Sequence, residues 1–171
     1  MLKQRKYNIE ETNLALFGSD LEKKVKAASA ATEKAWVGAG REPGLQIWRI
    51  EKFKVVPVQA KDYGRFYDGD SYIVLKTYKK KDSDKLLWDI HFWLGDETSQ
   101  DEAGTAAYKT VELDTLLGGE PVQHREVQGF ESQLFLSYFQ PGPIIQHGGI
   151  ASGFRHVKPE EYRPRLLHIK G

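Results

Sequence analysis

From Leu45 onward the chain runs apolar in short blocks that read as strands: "LQIWRIE" at 45–51, "KVVPV" at 54–58 with Pro57 at an edge or bend, "SYIVLKTY" at 71–78 and "LLWDIHFWL" at 86–94. The polar run "KKKDSDK" separates the last two, which predicts a hairpin. In the second of them Trp88, Ile90, Phe92 and Leu94 share one face, while Leu87, Asp89, His91 and Trp93 share the other. Bulk on both faces predicts a sheet covered on both sides, and helices supply that cover. One is "SQDEAGTAAYKTVELDTLL", closed by Gly118 and Gly119. After it come a strand "VQHREVQ", a short helix "SQLFLSYF" and an extended piece "IIQHGGIASGF". Ahead of the strands, residues 1–18 read as a polar arm, and Ser19 or Asp20 is placed to cap a helix running to about Trp36. Gly38, Gly40, Pro43 and Gly44 end it.

At 100° per residue, Ala106, Thr110, Leu113 and Leu117 fall in one stripe of the long helix, the stripe expected on the sheet. Tyr108, Glu112 and Thr115 fall opposite, flanked by Asp101 and Thr105. That outer face holds an aromatic ring and has the spacing of a helix that docks in a partner's groove. Single exposed aromatics are also common on surfaces with no partner.

Ahead of that helix, "GDETSQDEAG" (95–104) carries Asp96, Glu97, Asp101 and Glu102 without a basic residue. A helix start favours acid by itself, and Ser99 to Glu102 spells the capping box S-x-x-E. The competing reading is that these oxygens hold a hard cation, which requires further oxygen ligands from elsewhere in the chain.

Lys and Arg total 25 against 24 Asp and Glu, so any electrostatic function is local, and a broad nucleic-acid-binding surface is excluded. With no cysteine there are no disulfides, thiolate metal sites or cysteine nucleophiles. No apolar run reaches the length of a signal peptide core or a membrane span, and a cytoplasmic location is expected. The segment from Arg155, "RHVKPEEYRPRLLHIKG", holds five Lys/Arg and two Glu and lacks a core pattern, so it reads as a linker.

Laid end to end, "PGLQIWRIE", "YGRFYDGDSYIVLKTY", "DIHFWLGDETSQDEAGTAAYKTVELDTLLGG", "VQHREVQGFES" and "GGIASGFRHV" resemble the first actin-binding segment of the gelsolin superfamily, in particular of its severin/fragmin-type members. "AATEKAWVGAG" resembles the same members. The resemblance implies an α+β, gelsolin-like fold, with a mixed five-stranded sheet between a long helix and a shorter one. It divides the chain into an N-terminal arm and helix (1–42), a gelsolin-homology segment (43–157) and a linker towards a missing second segment (158–171). It implies calcium-regulated binding of monomeric actin and capping of filament barbed ends, as part of a severing protein in the cytoskeleton. Severing by these 171 residues alone is expected to be weak.

The residue roles below are likewise implied by the resemblance. Actin contacts fall on Asp101, Thr105, Tyr108, Glu112, Thr115 and Phe154. An intrasegment calcium falls between Asp70 and Glu102, with the carbonyls of Gly69 and Ile150. A second calcium, shared with actin, falls on Asp114 with the carbonyls of Gly119 and Pro121. Phosphoinositide binding falls on Arg155, Lys158, Arg163, Arg165 and Lys170, although the family's other basic cluster is replaced here by "QPGPIIQH".

Two other classes compete. A carboxylate-based hydrolase has the acidic cluster in its favour, but the five histidines lack H-x-x-x-H or E-x-x-H spacing and "QGFES" is not G-x-S-x-G. A lipid-surface adaptor that ignores actin has the basic tail in its favour.

Overall fold

The computed structural model describes residues 20–150. Helix α1 spans Asp20–Thr32, shorter than its pattern suggested. Glu33 breaks it by capping a separate 3₁₀ turn, Lys34–Trp36, its side chain accepting the Ala35 N–H. Strands β1 (Gly44–Glu51), β2 (Lys54–Pro57), β4 (Ser71–Lys79), β5 (Leu86–Leu94) and β6 (Val122–Val127) form one sheet in the order β2-β1-β4-β5-β6. The expected hairpin is β4 with β5, antiparallel from Ser71 opposite Leu94 to Lys79 opposite Leu86. Only β5 and β6 run parallel, and helix α2 (Gln100–Leu116) is the crossover between them, so the sheet is mixed.

Two apolar layers sandwich this sheet, as the double-faced β5 required. On one side Ile90 and Leu94 join Trp48, Ile50, Ile73 and Leu75 beneath Ala106 and Leu113 of α2, with Trp36 closing the end. On the other, Trp93 packs with Ile47, Tyr72, Val74 and Phe66 against Phe135 and Phe139. Phe135 belongs to the short helix α3 (Gln133–Leu136). The buried imidazole of His91 occupies the same side, between Glu126 (2.8 Å) and the Tyr138 hydroxyl (3.0 Å) and stacked on His124.

A second, two-stranded sheet is only half anticipated by the sequence pattern: strand β7 (Ile144–Gln146) lies in the extended piece from Ile144, while strand β3 (Arg65–Tyr67) has no counterpart. The two pair in parallel. Three residues give no readable alternation, so the pair exists through tertiary contact, with Phe66 and Ile145 packed into the second core layer. Its consequence is positional: it brings the loop after β7 against the turn between β3 and β4.

Candidate metal centre and docking face

That turn, Tyr67–Asp70, meets two other segments. Gly69 donates its N–H to Gly148 (2.8 Å), and Asp68 accepts His147 Nδ1 (2.6 Å) and the Gly148 N–H (2.9 Å). From the α2 side, the Gly95 N–H binds the Asp70 carbonyl (3.0 Å), the Glu97 N–H binds the Asp68 carbonyl (2.9 Å), and the Thr98 and Ser71 hydroxyls lie 2.8 Å apart. Backbones touch here: a Cβ on Gly69 would sit 2.6 Å from the Gly148 carbonyl oxygen, and one on Gly95 only 2.1 Å from that of Asp68.

Asp70 and Glu102 are thereby both buried, at 0% and 1% exposure, and close enough for the Asp70 charge to raise the pKa of Glu102. Asp70 has partners on both oxygens: Oδ1 accepts the Ile150 N–H at 2.8 Å and Oδ2 pairs with Arg49. Burial still raises its pKa. Glu102 is poorer. Ser99 caps its N–H at 3.3 Å, which makes the first half of the capping box. Its carboxylate, however, faces the Thr98 hydroxyl through Oε2 (3.4 Å), while Oε1 is buried with no partner. Burial first, then the charges of Asp70 and Asp101, push Glu102 up to about 7.

A buried acceptor without a donor, beside a second carboxylate and glycine backbone, is a donor set that could hold a hard cation. No three carboxylate or imidazole side chains form a metal-ligating group among the described residues. A cation held by these two carboxylates would need further oxygens from the backbone, and the backbone of Gly69 and Ile150 lies beside Asp70.

The far end of α2 holds Asp114, whose Oδ1 is also buried without a partner, and burial raises its pKa against a hydrogen bond from Gln123. The Gly119 N–H binds the Asp114 carbonyl at 2.9 Å, and Gly119 has φ +71°, so the chain turns back beside Asp114 and into Pro121.

Along α2 the sheet-facing stripe is as expected, with Ala106, Thr110 and Leu113 fully buried. The outer stripe needs one correction. Glu112, expected beside Tyr108 on the open face, is buried: its Oε1 accepts Trp36 Nε1 (2.8 Å) and Lys109 Nζ (3.0 Å), and Lys109 also reaches Glu33 (2.8 Å). Helix α1 and the turn after it pack on that flank and close it. The open face is Gly104, Tyr108 (61% exposed) and Val111 (45%), edged by half-buried Asp101, Thr105 and Thr115. The hydroxyls of Thr105 and Thr115 bind carbonyls of their own helix, which makes the face less polar than its composition.

Phe130, 87% exposed, is an apolar group that pattern reading missed. It follows Gln128, which the Asp96 N–H anchors at 3.0 Å, so it lies at the acidic end of the domain. A phenylalanine in a polar turn was the available sign. Phe154, Arg155, Lys158, Arg163, Arg165 and Lys170 lie outside the described residues.

The family model for the gelsolin repeat matches residues 52–136, which covers the hairpin, the acidic turn, α2 and β6. Gelsolin-like protein 1 of Lumbricus terrestris is 59% identical over 172 residues, spanning 100% of this chain and 47% of that protein. The chain belongs to the gelsolin family. Severin of Echinococcus granulosus is 52% identical over 174 residues, spanning 99% of this chain and 46% of that one. This gelsolin repeat and its flanks thus span about half the length of the curated relatives they match. Among solved structures, a Thorarchaeota 2DGel3 in complex with rabbit actin superposes with a TM-score of 0.54 at 23% identity, over 68% of this chain and 52% of that one, which shows the same fold. No helix of the gelsolin repeat is long and apolar enough to cross a membrane among the described residues.

Proposed function

We propose that the chain is a calcium-regulated actin-binding module. It binds monomeric actin and caps filament barbed ends through the open face of α2, within a severing protein of the cytoskeleton. The observation that carries the reading is the division of α2 into three sides. One is locked on the sheet and one is locked under α1 and its following turn. The third keeps Tyr108 and Val111 exposed, with Phe130 exposed at the acidic end. A rigid helix with two satisfied sides and one apolar open side fits helix-in-groove docking, and a tyrosine at its centre is the residue type that anchors such contacts. The severin relative and the actin complex of the fold neighbour favour actin as the partner.

Asp70 and Glu102 would hold the intrasegment calcium with the carbonyls of Gly69 and Ile150. Asp114, with the carbonyls of Gly119 and Pro121, would hold the ion shared with actin. Bound calcium supplies positive charge that relieves the buried carboxylates at the start of α2 and fixes that end of the helix to the turn carrying Asp70. An ion completed by an actin carboxylate couples the two ligands, so each tightens the other. The module acts by occupying a surface, and the reading requires no covalent step.

The test is titration of the chain into monomeric and polymerising actin at defined free calcium and with chelator. Saturable binding and slowed barbed-end growth, stronger with calcium, are expected. Actin assembly unchanged across the series would overturn the reading and return the hydrolase and the lipid-surface adaptor.

A further inference from the structure

The two buried carboxylates of the metal centre are treated unequally by one cation. Arg49, on β1 opposite Tyr72 of β4, pairs through Nη2 with Asp70 Oδ2, while Glu102 Oε1 is left without a partner. The guanidinium is itself incompletely used: Nε is buried and unpaired, and the group lies 4.8 Å from the centre of the Tyr67 ring. Beside it opens a cleft of about 390 Å³ whose lining includes Arg49, Glu51 and Asp62. Glu51 follows Arg49 by two residues on the same strand, so both side chains stand on one face of the sheet. Arg49 therefore has a fully buried carboxylate on one side and half-buried carboxylates lining the cleft on the other, with room to turn between them.

We propose that Arg49 is the internal counter-ion of the metal centre. It holds Asp70 while no cation is bound, and it turns into the cleft towards Glu51 and Asp62 when a divalent cation takes the carboxylates. Its charge then sets the affinity of the site. This rests on the calcium reading above. A guanidinium and a divalent ion compete for the same carboxylate oxygens and repel each other, so calcium must displace Arg49 or bind against its charge. The arrangement keeps the metal-free chain folded, at the expense of calcium affinity.

The test is calcium binding by calorimetry, with thermal melts in chelator, for the wild-type chain, Arg49→Met and Arg49→Lys. Arg49→Met keeps much of the stem and removes the charge. It is expected to tighten the calcium dissociation constant about tenfold, the order of the repulsion between one fixed charge and a nearby divalent ion in a partly screened site, and to lower the metal-free melting temperature. Arg49→Lys keeps the charge and is expected to stay within about threefold of wild type. Equal or weaker calcium binding by Arg49→Met would overturn the proposal, since it would make Arg49 a support for the site instead of a competitor. Should Arg49→Met not fold without metal, the wild-type chain decides. The Arg49 Nε–H resonance should move, and guanidinium rotation should speed up, as calcium is added. An unchanged signal in a chain that demonstrably binds calcium refutes the exchange. A wild-type chain that binds no calcium removes the calcium reading itself, and this inference with it.

Discussion

Replacing Glu102 by Gln separates the two roles that its position at the start of α2 allows. A carboxyl whose folded pKa lies above its unfolded value stabilises the fold fully below the unfolded value, and that contribution is lost as pH rises through the folded one. For Glu102 the limits are 4.5 and about 7, so at pH 8 the metal-free chain carries a buried, poorly solvated charge. The gap between them converts to about 3 kcal/mol. Glutamine removes the charge but brings an amide into a pocket offering only the Thr98 hydroxyl at 3.4 Å, which reduces the gain to about 2 kcal/mol. In chelator at pH 8, Glu102→Gln should therefore melt about 4–8 °C above wild type. At pH 5 wild type is itself protonated at this site, and the two should converge. With calcium at about a hundred times its dissociation constant, wild type gains about 2.7 kcal/mol and the variant little, so the order reverses. Urea and thermal melts at both pH values, with chelator and with calcium, contain the whole test. A variant less stable than wild type at pH 8 in chelator would refute the reasoning, because Glu102 would then stabilise the helix start as an ordinary first-turn acid.

The open face of α2 gives two further expectations. Tyr108→Asp, at a side chain 61% exposed, should cost about 2 kcal/mol or more of actin affinity, roughly thirtyfold, with melting unchanged; unaltered affinity in a sedimentation or fluorescence titration would remove this face from the interface. Gly104→Ala should raise chain stability by about 0.5–1 kcal/mol, since a Cβ there meets nothing within 4 Å, while weakening actin binding if the partner approaches the backbone closely; a loss of stability in urea melts would contradict the open helix surface. Acidification should destabilise the other side of the sheet. Burial holds His91 below its usual pKa, and hydrogen bonds from Ser132 and His91 outweigh burial to hold Glu126 below its own, so the two contributions are present above 6.5 and 4.5 and are lost as pH falls from those values through the lower folded ones. His91→Gln should flatten the first part of that loss, and an unchanged pH profile of stability would show that the imidazole is not the titrating group.

The strands that were legible in the sequence are those whose side chains solve a packing problem locally. In β5 every second position is bulky on both faces, and the sheet is buried on both faces. Strand β3 was illegible because its three residues are extended only through pairing with Ile144–Gln146, far away in the chain. The break in the first helix was equally hidden, since alanine-rich sequence continues through "AATEKAW" and only the cap formed by Glu33 stops it.

At the site, spacing alone left Glu102 between cap and ligand. What the pattern "SQDE" does not contain is three-dimensional: the Glu102 Oε1 is buried without a partner, and Asp70 lies close enough for its charge to raise the Glu102 pKa. Glu112 was misplaced for the opposite reason: a helical wheel fixes angles but not what lies beside them. On the wheel it stands close to Tyr108, and it becomes interior only because α1 brings Glu33 and Trp36 to that flank, where Lys109 and Glu112 complete a closed polar node. The node narrows the open stripe along the middle of α2 to Gly104, Tyr108 and Val111, and it makes the N-terminal helix a determinant of which α2 residues any partner can touch. An N-terminal helix that leaves its flank would uncover Glu112 and add an acid to the proposed docking face, so on that reading the docked position of α1 belongs to the recognition chemistry as much as the exposed tyrosine does.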